Sequence, residues 1–249
     1  MAPTRPGITA PGLTIPPLAG YPVGEKLEYQ VSWWGIPVGL ITLTAAQAKK
    51  EEDRSLNGLV KLICEGRSNA YLEAFYPVRV ELVSYVDSDA RSPRRFTAMV
   101  KRRWRNHQSV ITFNPEKGTA FHQLPKKKSA TVPVTPATQD GISLLYYVRT
   151  LSFSVGQTVP MEVSADGKNW LLKGRVFRTG TIKLRGEQPK SWFAFEGDAE
   201  LAYPVPFFQG AKAFVWLSVD EERVPLLAHI RSRIGPVTVV LIRRSQGAR

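Results

Sequence analysis

The densest concentration of charge in this chain is Lys101-Arg102-Arg103-Trp104-Arg105. Read as one strand, it places Lys101, Arg103 and Arg105 on one face at about 6.8 Å intervals, with Arg102 and Trp104 on the other. Three cations in a row suit a polyanion, and a tryptophan among arginines suits stacking on a sugar ring or a base. The competing reading is an edge strand whose charges prevent pairing with another chain. Aromatic side chains are the second resource, with six Trp and eight Tyr. Trp33 and Trp34 are adjacent, so a strand sends them to opposite faces, one to the core and one to a platform. Trp216 sits in another strand-like run. Tyr146, Tyr147 and Arg149 share a segment with helical spacing. Together these ten aromatic and arginine positions, without Lys101, form the candidate ligand-binding set.

Other chemistries find little support. There is no GxSxG elbow, and His107, His122 and His229 are scattered. There is no HExxH, no cysteine pair and no carboxylate-rich calcium loop. Asp87-Ser88-Asp89 and Asp220-Glu221-Glu222 read as acidic turns. A glycosidase needs two carboxylates facing across a cleft, and no such pair can be located. Neither a Walker A sequence nor a GxGxxG occurs. No catalytic residue, metal or cofactor is therefore assigned. The single cysteine, Cys64, forbids an intramolecular disulfide and reads as a small buried hydrophobe.

The chain has 249 residues, 43% hydrophobic, enough for one full core. Its net charge of +13 attracts anions of any kind: nucleic acid, phospholipid head groups, lipopolysaccharide or acidic glycans. Specific nucleic-acid binding is not expected, because the charge is spread along the chain and no helix-turn-helix, RNP or zinc motif accompanies it.

These residues must be held by strands. Leu27, Tyr29, Val31 and Trp33 alternate with Glu28, Gln30 and Ser32, the period of a half-buried strand. Ile36 to Ala46 reads as a second strand. Further runs fall at 58–65, 78–86, 94–105, 108–113, 119–124, 158–164, 169–177, 181–185, 191–196, 199–203, 212–218, 224–233 and 236–243, with turn residues between them. Two short helices are expected. Asp140 caps the segment Gly141 to Leu151, and Ser68 to Phe75 forms the other. Residues 1–22, with six Pro and three Gly, read as a flexible arm, and 23–245 as a single β domain. The fold class is all-β: a large curved antiparallel sheet or half-open β-barrel with one or two short helices.

Four phrases recur in order: Gly24, Glu25, Leu27, Tyr29, Trp34 and Gly39; then Gln139, Asp140, Ser143, Tyr146, Tyr147 and Arg149; then Trp216, Ser218, Asp220, Arg223, Pro225 and Leu226; then Gly235, Val237, Val239 and Leu241. In this order and spacing the chain resembles the DUF3108 family, across roughly residues 21–243. The resemblance implies an exported, envelope-associated bacterial protein with a curved sheet or half-open barrel, and it brings no catalytic set. The N-terminus lacks a basic n-region and an apolar h-region; it reads as a mature export product carrying a start Met, and a native cytosolic start would read the same.

The expected protein is thus a non-catalytic, periplasmic or exported binding protein, and a monomer. Its partner would be a glycan or surface polysaccharide, anionic or neutral, held in a concave β face by Trp platforms and arginines. The alternative is a carrier or chaperone for lipid or acylated protein, with the sheet curled around an apolar cavity under the helix at 140–151.

Overall fold

The computed structural model describes residues 14–15, 20–49, 54–87, 91–125, 128–154, 156–182, 190–198, 212–232 and 235–246. The run expected at 199–203, and most of the arm at 1–22, lie outside them. Alternation governs what forms. In chain order the strands are β1 (Thr14–Ile15), β2 (Glu25–Trp33), β3 (Ile36–Gln47), β4 (Val60–Ser68), β5 (Val78–Asp87), β6 (Ser92–Arg102), β7 (Arg105–Asn114), β8 (Thr119–Gln123), β9 (Ala130–Pro133), β10 (Thr138–Gln139), β11 (Phe153–Ser154), β12 (Thr158–Ala165), β13 (Lys168–Ile182), β14 (Lys190–Asp198), β15 (Lys212–Ser218), β16 (Pro225–Ser232) and β17 (Gly235–Gln246). The helices are α1 (Ala70–Phe75) and α2 (Ser143–Arg149).

Among the described residues, all but β1 and β11 belong to one sheet of 15 strands, ordered β10-β12-β13-β14-β15-β16-β17-β2-β3-β4-β5-β6-β7-β8-β9. Its pairs are antiparallel except β10 with β12. The middle is closed by the ends of the domain, because β17 pairs with β2. The two segments that begin Gly35-Ile36-Pro37-Val38 and Gly235-Pro236-Val237 lie on either side of β2, so that Trp33 faces Ile36 on one side and Val237 on the other.

A sheet this long must twist and curl. Here it curls until β8 and β9 meet the β12–β13 hairpin through side chains, without a ladder between β9 and β10. His122 Nε2 lies 2.9 Å from Ser164 Oγ, and Asn169 Nδ2 donates to the Pro133 carbonyl at 2.5 Å. The result is a barrel with an open seam stitched by polar side chains.

The inward face carries the core. Leu27, Leu43, Leu62, Leu82, Phe96, Ile111 and Leu241 pack as one cluster. Met161, Val163, Leu172, Val176 and Leu217 form a second. Helix α2 lies between them: Ile142 and Tyr146 join the first cluster and Val148 the second. It packs between the two clusters on the inner side of the sheet. Tyr21, placed in the arm by its Pro and Gly neighbours, is also buried there, 6.2 Å from the Tyr146 ring. No helix among the described residues is long and apolar enough to cross a membrane.

Candidate functional site

The basic run is not one strand. Arg102 pairs with Arg105 across a tight turn made by Arg103 and Trp104. The chain reverses there, so Lys101, Arg103 and Arg105 share no common face. Arg103 donates to the Phe75 carbonyl at 2.6 Å and lies 5.0 Å from the Trp104 ring, which meets Tyr76 edge-on at 6.2 Å. Trp104 stays 75% exposed. Trp33 and Trp34 are both exposed, contrary to the expected division between core and surface. The cause is position: β2 ends at Trp33, and Trp34 takes a positive φ of 51° in the β2–β3 turn. The Trp34 indole lies over Gly235, and a Cβ on that glycine would overlap it. Trp216 is half-buried in β15, 6.5 Å from the Phe214 ring.

Tyr146, Tyr147 and Arg149 are not surface ligand groups. Tyr146 is buried and Tyr147 half-buried. Arg149 is 1% exposed and grips Glu25 with two bonds of 2.7 and 2.9 Å. It also donates to the Glu222 carbonyl at 2.8 Å and stands 5.3 Å from the Tyr146 ring. Helical spacing placed these residues on α2, but α2 lies against the inner side of the sheet, which buries Ser143, Tyr146, Val148 and Arg149. The helix is needed there because the sheet alone cannot fill so wide a curl.

The family phrases meet in this plug. Asp140 is fully buried. Its Oδ1 accepts from the Ile142 and Ser143 amides at 2.8 and 2.9 Å, and Ser84 donates to its Oδ2 at 2.5 Å. It satisfies amides at the entrance to α2, as its residue type suggested, and ties them to β5. Burial raises its pKa above the usual carboxylate value, against the pull of these bonds. Tyr29 donates to the Pro225 carbonyl at 2.9 Å. Ser218 donates to Asp220, which accepts from the Arg223 amide in the turn before β16. Arg244 pairs with Glu222 and lies 3.5 Å from Glu25. The hydroxyls of Tyr21 and Tyr146 are buried without a hydrogen-bond partner among the described residues, and burial drives both pKa values up.

One arrangement resembles a nucleophile and its base. His122 and Ser164 are buried and in contact. The bonds run the wrong way for catalysis. The Gly167 amide donates to His122 Nδ1 at 3.2 Å, so Nε2 carries the ring proton and donates to Ser164. Ser164 in turn donates to Asn169 Oδ1 at 2.8 Å. A base must accept the serine proton at that nitrogen. This is a structural stitch of the seam, and burial lowers the His122 pKa, keeping it neutral. Cys64 is buried on β4, and burial pushes its thiol up to about 12, which makes it unreactive. Among the described residues no group of three His, Cys, Asp or Glu side chains could hold a metal ion.

A wide depression lies on the outer face of the sheet. It encloses about 700 Å³ and is lined by Lys26, Glu28, Leu40, Thr42, Glu65, Arg67, Glu73, Arg79, Glu81, Met99, Lys101 and Ile242, with Ile41, Gly66 and Val80. Register explains its character. Glu28, Thr42, Glu65, Glu81 and Met99 are successive cross-strand partners from β2 to β6. Two residues along, Gln30, Leu40, Arg67, Arg79 and Lys101 form a parallel row. On β4–β6 the acidic pair Glu65 and Glu81 thus lies beside the basic row of Arg67, Arg79 and Lys101, about 7 Å away along each strand. Glu65 directly faces Glu81, and Arg67 faces Arg79, pairings that repel within each row. Arg79 is drawn to Glu73 at 3.0 Å, and Lys26 to Glu28 at 2.9 Å. Sequence reading missed this site because its residues come from six strands and α1 and form a motif only once paired. The alternation of each strand was the available signal.

Residues 28–242 match the family described as protein of unknown function DUF3108, and the chain belongs to that family. The fold resembles the crystal structure of a beta-barrel-like protein of the domain of unknown function DUF1849 from Brucella abortus. The TM-score is 0.57 at 10% identity, over 92% of this chain and 100% of that one. The likeness defines the class: a β-barrel-like domain whose sheet is not closed. The sequence matches no curated protein.

Proposed function

We propose that this protein is a non-catalytic binding protein of the bacterial cell envelope that holds a segment of glycan across the outer face of β2–β6. The observation that carries this reading is the acidic row set beside the basic row on β4–β6, with Leu40, Met99 and Ile242 at their ends. A sugar polymer presents hydroxyls, and often carboxylates or amines, at every residue. Carboxylates and guanidinium groups set in rows can bond to each of them. Leu40, Met99 and Ile242 offer apolar contact to the C–H edges of the rings. The tryptophans of the original expectation take no part in its lining, so recognition rests on hydrogen bonds and not on stacking.

The lipid-carrier alternative requires an apolar cavity inside the sheet. The described interior beside the seam has a pocket of only about 10 Å³, and α2 occupies the space between the two core clusters. Titration calorimetry against neutral, acidic and amino-bearing oligosaccharides tests the proposal. Binding that weakens at least about tenfold in Glu65→Gln/Glu81→Gln, with folding intact, supports it. Binding of acyl-chain detergents alone would overturn it.

A further inference from the structure

Three connections meet at one end of the sheet, and each carries exposed large apolar residues. The β2–β3 turn shows Trp33, Trp34 and Ile36, at 41, 64 and 64% exposure. Helix α1 shows Tyr71 and Phe75, at 87 and 74%, and the β6–β7 turn shows Trp104. The connections are joined to one another. Asn69, at the head of α1, donates to the Pro37 carbonyl at 2.5 Å, and Arg103 donates to the Phe75 carbonyl. Tyr71 and Phe75 are four residues apart and so share one face of α1, a helix with no buried residue. This is a continuous apolar rim built on short, hydrogen-bonded connections.

A belt of positive charge lies directly beneath it. Arg67, Arg79 and Lys101 form the last outward-facing cross-strand row before these connections, and Arg103 and Arg105 flank Trp104. The rim connections, 33–37, 69–77 and 102–106, contain a single acidic residue, Glu73, and Arg79 neutralises it at 3.0 Å.

We propose that this rim docks the protein on an anionic lipid surface. Tryptophan and tyrosine favour the head-group level of a bilayer, where an apolar ring and a polar edge are both satisfied. Arginine and lysine one row below would face the phosphates of the same leaflet. The shape agrees: the aromatic residues project from connections, whereas a sugar platform must be flat or recessed. The overall charge of +13 draws the molecule toward such a surface, and the rim fixes which end arrives first.

Co-sedimentation of the full chain with phosphatidylcholine vesicles, and with mixed phosphatidylcholine–phosphatidylglycerol vesicles, tests this at low and high salt. The expected result is binding to the mixed vesicles, weaker at high salt but not abolished. The triple substitution Tyr71→Ser/Phe75→Ser/Trp104→Ser should lower the partition constant at least about tenfold, because it removes three apolar anchors. All three side chains are exposed, so the variant should fold, which circular dichroism checks. Glu65→Gln/Glu81→Gln should bind vesicles no less tightly than the unaltered chain, which separates the rim from the groove. If the triple variant binds as well as the unaltered chain, charge alone drives binding and the proposal falls. It falls equally if the unaltered chain stays in the supernatant with both vesicle types, which would mark the rim as a protein-docking surface.

Discussion

Arg149 on α2 and Glu25 at the start of β2, 124 residues apart in the chain, form a two-bond ion pair with both side chains 1% exposed. The pair ties the plug to β2, the strand that pairs with β17 in the middle of the sheet. Its guanidinium also holds the Glu222 carbonyl, so three of the four family phrases converge on one group. These phrases build the plug, and the groove lies on the other face of the sheet.

Removing one partner leaves a buried charge. Arg149→Ala or Glu25→Leu should each lower stability by about 3–5 kcal/mol. The double variant should lose clearly less than the sum, since no unpaired ion of the pair remains. Urea denaturation of the four proteins in the cycle measures this. Additive losses would mean that the two residues act independently.

Asp140 separates hydrogen bonding from charge. Asp140→Ala removes the acceptor of two amides and of Ser84, and should cost about 2–4 kcal/mol. Asp140→Asn keeps an acceptor for the amides and should cost less. Burial raises the folded pKa of Asp140 above its ordinary 3.8, so the folded state binds the proton more tightly than the unfolded chain. Ionisation therefore costs stability as pH rises above 3.8. Asp140→Asn should accordingly gain on the unaltered chain across that rise. Denaturation of both proteins as a function of pH reports the difference.

His122 has the opposite dependence. Its folded pKa lies below the ordinary 6.5, so its contribution is present above that pH and declines as pH falls below it. His229, also lowered by burial and by Arg231, adds to the same trend. Stability should drop on acidification below 6.5, and less so in His122→Gln. Equal pH dependence in the two proteins would remove His122 from the seam's energetics.

Two glycines are fixed by contact. A Cβ at Gly39 would overlap the Arg67 carbonyl of β4, and one at Gly235 would meet the Trp34 indole. Gly235 also has φ 114°. Gly39→Ala should cost about 1–3 kcal/mol through strain between β3 and β4. Gly235→Ala should do the same and change the near-ultraviolet dichroism of Trp34. An unshifted melting midpoint in either variant would contradict the contact.

Much of the architecture was legible in the sequence. Alternation such as Leu27-Tyr29 against Lys26-Glu28 places strands, and Asp140 marks the entrance to a helix. The reversal at Arg103-Trp104 was not legible, because neither residue is a usual turn former and the apolar pattern runs on both sides of it. Nor was the burial of Arg149, since an arginine on a helix reads as a surface cation until its partner, far away in the chain, is brought beside it. The groove was hidden for a related reason. Glu65, Glu81, Arg67 and Arg79 are ordinary outward charges on their own strands, and only register sets like against like.

The central claim is that ligand binds the charged stripes on the outer face. Backbone amide NMR during titration with the oligosaccharide that binds best tests it most directly. Shifts are expected to centre on Thr42, Glu65, Arg67, Glu81 and Met99, with Asp140 and Tyr146 unmoved. Shifts confined to α2 and the interior, or to Trp34, Phe75 and Trp104, would contradict it.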